Sequence, residues 1–433
     1  MALLSSAPLA LILPSLASLL TSTATLDAVI VTTGKDSRTF EKSIWSALQY
    51  LIDVNTFYII SPGATDLEER IHKRYSINDD WSLKYKAKVK FIDEKIFNFK
   101  YENVTSIMIE SVRNKGVYPL QAGQSTFEKT VYGKYGWFLQ QLLKLYAGRV
   151  LKLNDYILLD SDLIWFRNIS LYAGKVKIEL SSSLSASGPV EVNSYYYATS
   201  RQYHAAYLAT LQRVAGVPLL KANSSFRSGV VHHIVLVKEV LEDLIITSEA
   251  LHGLPFWQVL LNQSAIEMTC RAPKTPICGA GSTLSEYELY FNFARVKYPQ
   301  TVVLRPLWWA NGPAPGLLFW PGADKLESDG HRHVYISARG ADSNKYFDKQ
   351  IAADVLQGYD FIGYHSYAKR RYTEVVWEDL DLLCKSVAAP RNSTCSWRGI
   401  EELNRALDKR GLRHRGAGEY FSDCNCWMAT HQA

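Results

Sequence analysis

The segment Tyr156-Ile157-Leu158-Leu159-Asp160-Ser161-Asp162 constrains this chain more than any other. An apolar run without polar alternation reads as a strand covered on both faces, of the kind found inside a helix-layered sheet. This one ends in two acidic residues one apart, where desolvating two carboxylates is costly unless something of opposite charge meets them. Spacing by itself decides nothing, because Asp379-Leu380-Asp381 repeats it within what reads as an amphipathic helix. The buried strand before Asp160 and Asp162 is what separates the two pairs.

The N-terminal third repeats the same grammar. Leu26 to Thr33, apolar apart from Asp27 up to its two closing threonines, predicts a central parallel strand, followed by a loop, Gly34-Lys35-Asp36-Ser37, and a helix through Trp45 and Leu48. Strands at Thr56–Ser61 and Val89–Asp93 enclose a helix around Leu67 to Arg74. Alternating strands and helices predict a doubly wound α/β sheet, and such sheets bind ligands beyond the carboxyl ends of their strands. That rule selects Thr32, Thr33 and Asp36, and later Asp160 and Asp162, as pocket-facing residues.

A helical run, Tyr135 to Tyr146, leads directly into the acidic strand and carries Trp137, Gln140, Gln141 and Lys144 as a polar stripe. The stripe reads either as a solvated face or, given where it leads, as a ligand-facing one, with Gln140 and Lys144 as candidate cofactor contacts. Strands follow at Val176–Leu184, Val190–Tyr197, Ser228–Leu236, Thr301–Leu304 and His333–Ile336, with helices at Tyr203–Val214 and Lys238–Ser248. If Ser228–Leu236 is a strand, His232 and His233 point to opposite faces, and only one of them meets the pocket.

Composition bounds the setting. With 433 residues, 47% hydrophobic and 21% charged, the chain can bury a large core, and its net charge of +6 is too small and too dispersed to indicate nucleic acid. Residues 1–24 read as a secretory leader, with a membrane anchor as the alternative. The main domain is placed at 25–383 and a basic, cysteine-containing appendix at 384–433. The six cysteines, all in the second half, permit disulfides, with Cys270–Cys278 and Cys384–Cys395 favoured by proximity. Sequons at Asn103, Asn168, Asn223, Asn262 and Asn392 add to a lumenal or secreted address.

A divalent cation with oxygen ligands, Mn²⁺ or Mg²⁺, meets the need of Asp160 and Asp162 and can bridge a diphosphate. A rival is a phosphatase with an Asp nucleophile, but that chemistry is usually carried on the first strand, and here Ile164 stands where Thr or Val is usual. Glu286 and Glu288, in Ser285-Glu286-Tyr287-Glu288, read as a capped helix start or as acceptor-side carboxylates. Among 11 tryptophans and 26 tyrosines most fill cores, with one or two expected near substrate.

The order of a Thr-ended first strand, Trp137 to Leu145 and Tyr156 to Asp162 resembles the GT-A nucleotide-diphospho-sugar transferases, closest to a poorly characterised group with an Asp-Ser-Asp motif. The resemblance runs on through Ser228–His233, Gly253–Trp257, Ser285–Phe293, Leu304–Gly312 and Phe361–Tyr367, and so covers roughly residues 26 to 370. It implies a GT-A type mixed sheet with a nucleotide-binding half and an acceptor-binding half. It also implies Asp160 and Asp162 as metal ligands, Thr32, Thr33 and Asp36 at the nucleotide, and Glu286 in preference to Glu288 on the acceptor side. His365 matches the histidine that completes the metal site in glycogenin-like members; a lone histidine in an aromatic strand is otherwise a core residue. The implied activity is transfer from a nucleotide-sugar to a hydroxyl on a glycan, protein or lipid, catalysed with Asp162 and Glu286. The alternative is a carbohydrate-binding protein of the same fold without catalysis.

Overall fold

The computed structural model describes residues 25–33, 37–75, 88–114, 123–180, 188–200, 203–220, 226–268, 283–305, 307, 309–313, 360–365 and 372–373. The leader, the appendix, all six cysteines, Asp36, the expected strand at His333–Ile336 and the second acidic pair lie outside these residues.

Three parallel strands open the fold in the order the periodicity predicts. They are β1 (Leu26–Val31), β2 (Val54–Ser61) and β3 (Val89–Asp93), with α1 (Ser37–Tyr50) and α2 (Ala64–Tyr75) as crossovers. Next come α3 (Tyr101–Asn114) and the long α4 (Gly123–Leu151), which delivers the chain to β4 (Tyr156–Asp160). The expected helix over 135–146 lies within the C-terminal part of this one longer helix, α4. β4 pairs with β1 in parallel, and the central sheet runs β3-β2-β1-β4-β8, with β8 (His233–Leu236) antiparallel to β4. This is a mixed α/β sheet with a parallel centre, the GT-A-like arrangement expected from the sequence.

The apolar runs account for that centre. Ala28, Val29 and Ile30 of β1 and Ile157, Leu158 and Leu159 of β4 are all buried, because helices cover both faces of the sheet. Two smaller sheets flank it. One is built from β5 (Leu163–Trp165), β10 (Trp309–Pro313), β11 (Phe361–His365) and β12 (Tyr372–Thr373), the other from β6 (Tyr172–Ile178), β7 (Val190–Tyr197) and β9 (Val302–Leu304). The remaining helices are α5 (Ala205–Ala215), α6 (Lys238–His252), α7 (Phe256–Met268) and α8 (Glu286–Lys297). Among the described residues no single helix is long and apolar enough to cross a membrane.

One expected strand is shorter than its apolar pattern. Only His233–Leu236 is extended; Ser228 forms an isolated bridge to Ser200, and His232 adopts φ 64°. A residue in that left-handed region breaks a strand, so the alternation rule does not govern the two histidines. The reason is local packing. A Cβ on Gly229 would overlap the Phe291 side chain and stand 2.7 Å from the Tyr287 carbonyl oxygen, so the segment before His233 rests directly on α8 instead of pairing.

Candidate active site

β4 carries Asp160 to the carboxyl edge of the sheet, level with Val31 at the end of β1. The chain then turns through Ser161 and Asp162 into β5 and so passes from the central sheet to its neighbour. α4 lies behind, pinned to β4 where Tyr156 donates its hydroxyl proton to the Lys144 carbonyl at 3.0 Å. α8 starts on the other side, with the Ser285 hydroxyl capping its first turn.

These elements enclose one buried ammonium. Lys144 Nζ donates to Asp160 Oδ1 at 2.5 Å, to Glu286 Oε1 at 2.5 Å and to the Tyr287 hydroxyl at 3.1 Å, which uses all three of its protons. Only 1% of the Lys144 side chain reaches solvent. Tyr287 donates to Asp160 Oδ1 at 2.6 Å, and His232 Nδ1 lies 2.8 Å from Asp160 Oδ2. Facing an ionised carboxylate, that ring nitrogen is the protonated one.

The two acids sharing the ammonium differ. Burial pushes the Asp160 carboxyl up, but Lys144 and His232 outweigh it and hold the group well below the usual carboxylate range. Glu286 is shifted up: burial dominates, the pull of Lys144 opposes it, and the charge of Asp160 reinforces it. Asp160 therefore keeps its charge first, since it has donors that Glu286 lacks. Burial alone would lower Lys144, yet the two carboxylates carry it above its ordinary value.

Glu288, two residues on, does different work. Its Oε2 accepts from the Ser228 hydroxyl at 2.5 Å and the Gly229 amide at 3.1 Å, and its Oε1 accepts from Asn292 at 2.8 Å. It fastens the irregular segment that ends at His232. Burial pushes its carboxyl up to about 7.

The structure gathers Asp160, Lys144 and Glu286 into one network and sets Asp162 beside it, half-buried in the turn. Thr32 lies at the end of β1 with its hydroxyl buried and without a hydrogen-bond partner, and Thr33 follows, half-buried. Gln140 is half-buried on α4 and joins none of these bonds, whereas its neighbour Gln141 is buried and accepts the Glu286 backbone amide at 2.9 Å. The β5–β11 register pairs Leu163 with Gly363, and continuing it by two residues runs the His365 backbone alongside the acidic turn. Its side chain is outside the described residues, as is all of Asp36.

Two participants escaped sequence reasoning, and one ambiguity is resolved. His232 is the histidine at the site; His233 is buried on the other side, edge-on to Trp165 and Phe361. Gln141 had a signal, since it stands three residues before Lys144 on the same helical face. Tyr287 had none, because its hydroxyl meets Asp160 only through the packing of α8 beside α4. Among the described tryptophans, Trp165 and Trp309 are buried, and Trp137 donates to the Leu284 carbonyl at 3.0 Å.

Comparison with solved structures finds similarity at low identity. One is described as "PaToxG Glycosyltransferase", at 11% identity with a TM-score of 0.26, covering 64% of this chain and 70% of that one. Another, described as a WbbM bifunctional glycosyltransferase in its apo structure, is 13% identical with a TM-score of 0.31, and covers 88% of this chain and 52% of that one. No curated protein matches the sequence. A family profile matches residues 86–314, just over half of the chain and a span that includes α4, the acidic turn and α8. By that match the chain belongs to DUF6492, a family of unknown function.

Proposed function

We propose that the chain is a glycosyltransferase that moves a sugar from a nucleoside diphosphate to an acceptor hydroxyl on a glycan, protein or lipid, with Mn²⁺ or Mg²⁺. One observation carries the reading. An ionised carboxylate, locked by three donors, stands at the carboxyl edge of the sheet with Asp162 beside it and the unpartnered Thr32 hydroxyl at the end of the neighbouring strand.

The residues fit a divalent cation. Among the described residues, Asp160 Oδ1 is filled by Lys144 and Tyr287, whereas Oδ2 accepts from His232 alone and retains a lone pair. Lys144 carries one positive charge against the two carboxylates of Asp160 and Glu286, and Asp162 stands beside them in the turn. Asp162 and Asp160 Oδ2 would hold the ion, with His365 as third ligand on the strength of its backbone register. Among the described residues no three metal-binding side chains cluster on their own. The ion would supply Lewis-acid stabilisation to the departing diphosphate.

The chain's own residues set up that site. Lys144, Tyr287 and His232 fix the Asp160 carboxylate so that it need not reorganise when substrate arrives. Glu286 acts through Lys144, holding the ammonium against Asp160, and so influences catalysis by position. Thr32, Thr33, Asp36 and Gln140 would contact the nucleotide, as expected of residues beyond the strand ends. The leader and the sequons extend the proposal to a secretory lumen.

The test is a panel of sugar nucleotides offered to the purified protein with and without Mn²⁺, reading both hydrolysis and binding. The expected result is Mn²⁺-dependent turnover of at least one donor, falling about 100-fold or more in Asp162→Ala. If no sugar nucleotide binds, and Asp162→Ala alters neither metal nor nucleotide affinity, the reading is wrong.

A further inference from the structure

Beyond the end of β3, the helical turn Glu94–Phe97 and the start of α3 meet the N-terminal half of α4 in an exposed aromatic cluster. Tyr101 lies parallel to Tyr132, with centroids 6.1 Å apart and planes at 21°, and meets Tyr135 edge-on at 4.6 Å. Tyr101 and Tyr132 are both large exposed side chains. The cluster is fixed in place. Asp93 Oδ1 accepts from the Lys95 amide at 2.9 Å, Asn98 closes the turn in the left-handed region, and Arg113 of α3 pairs with Glu128 of α4 at 3.6 Å.

Carboxylates border the rings. Glu94 and Glu102 stand close enough to Tyr135 to reinforce the upward push that burial gives its phenol. Flat faces with carboxylate acceptors beside them suit a ligand that has apolar C–H faces and hydroxyl donors at its edges.

The cluster shares the rim of the acidic turn. Ile92 of β3 and Asp160 of β4 stand at one level, each connected through Val31 and Ile60, and are three strand spacings apart, or about 14 Å. Along α4, Tyr135 precedes Lys144 by about 13 Å of helix. An oligosaccharide chain spans that distance and a monosaccharide does not.

We propose that Tyr101 and Tyr132, with Glu94 and Glu102, form a binding platform for an extended oligosaccharide, the acceptor of the transfer reaction. The assignment of an acceptor role rests on the function proposed above; oligosaccharide binding does not.

The experiment screens the full chain on an array of N-linked, O-linked, glycosaminoglycan and glucan oligosaccharides, then titrates the strongest binder calorimetrically beside its constituent monosaccharide. The oligosaccharide should bind about ten-fold more tightly than the monosaccharide or better, and Tyr101→Ala/Tyr132→Ala should weaken it by about ten-fold. Glu94→Gln is a second variant with little risk to folding and should weaken it too. Sugar-nucleotide binding, titrated on the same variants, should be unchanged. A blank array, or glycan binding indifferent to both variants, overturns the platform, and so does capture of phosphatidylserine vesicles in place of glycans. If nucleotides bind while the array is blank, the platform alone fails; if glycans bind and no nucleotide does, the transferase reading fails and the platform stands.

Discussion

A lysine whose ammonium is shared by two buried carboxylates cannot trade those partners for water, so removing it strands charge in the interior. Lys144→Met should therefore destabilise the fold by about 3–5 kcal/mol. Adding Glu286→Gln should restore part of that loss, because one stranded acid disappears. Chemical denaturation of the two variants decides the matter: a single-variant cost below about 1 kcal/mol would show that the triad contributes little. The polar stripe on α4 announced Gln140 and Lys144 as residues of interest. It could not say which way they faced, since a helix face reads as solvated or buried only when its neighbour is known. Here that neighbour is the start of α8, over a hundred residues later in the chain.

At the level of elements, the legible parts were those with one strong local signal. β1, β2, β3 and β4 follow from short segments rich in apolar residues, unbroken up to Asp160 in β4, and the α8 start follows from Ser285 with acids in the first turn. The segment before β8 was misread as strand because its apolar residues serve a different contact, the approach of Gly229 to α8. Gly229→Ala tests that explanation. The new methyl would meet Phe291 and the Tyr287 carbonyl, both attached to the helix that carries the site, and neither can retreat cheaply. The expected loss is about 1–3 kcal/mol of stability. Because His232 and Tyr287 flank the same contact, any activity should fall further than the lowered melting temperature explains. An unchanged melting temperature would mean that the approach is looser than described.

Across the whole molecule, buried titratable groups work against each other as pH changes. Glu288, raised to about 7, stabilises the fold in acid; that contribution is complete below its unfolded value of 4.5 and is lost as pH rises through about 7. His233, lowered to about 4 by burial, acts in the opposite sense, with a contribution present above 6.5 and lost as pH falls through about 4. Each is worth about 3 kcal/mol, so between pH 4.5 and 6.5 they largely cancel. Glu288→Gln removes one side of the balance. Relative to the wild type, its stability should improve by about 3 kcal/mol between pH 4.5 and 7.5, as followed by urea denaturation. A difference curve flat across that range would place the Glu288 carboxyl near its ordinary value. The Asn292 side-chain oxygen, buried without a partner, could accept from the Gln amide after the Asn amide rotates.

The acidic turn is also a seam. Asp160 ends a strand of one sheet and Leu163 begins a strand of another, so the spacing of Asp160 and Asp162 is inherited from how the two sheets sit together. β5 is held by β11, which the chain reaches only after traversing most of its length. A substitution in β11 is therefore, in mechanical terms, a substitution in the turn. Defects at the acidic turn can be sought at Phe361 and Ile362, a strand away from either aspartate.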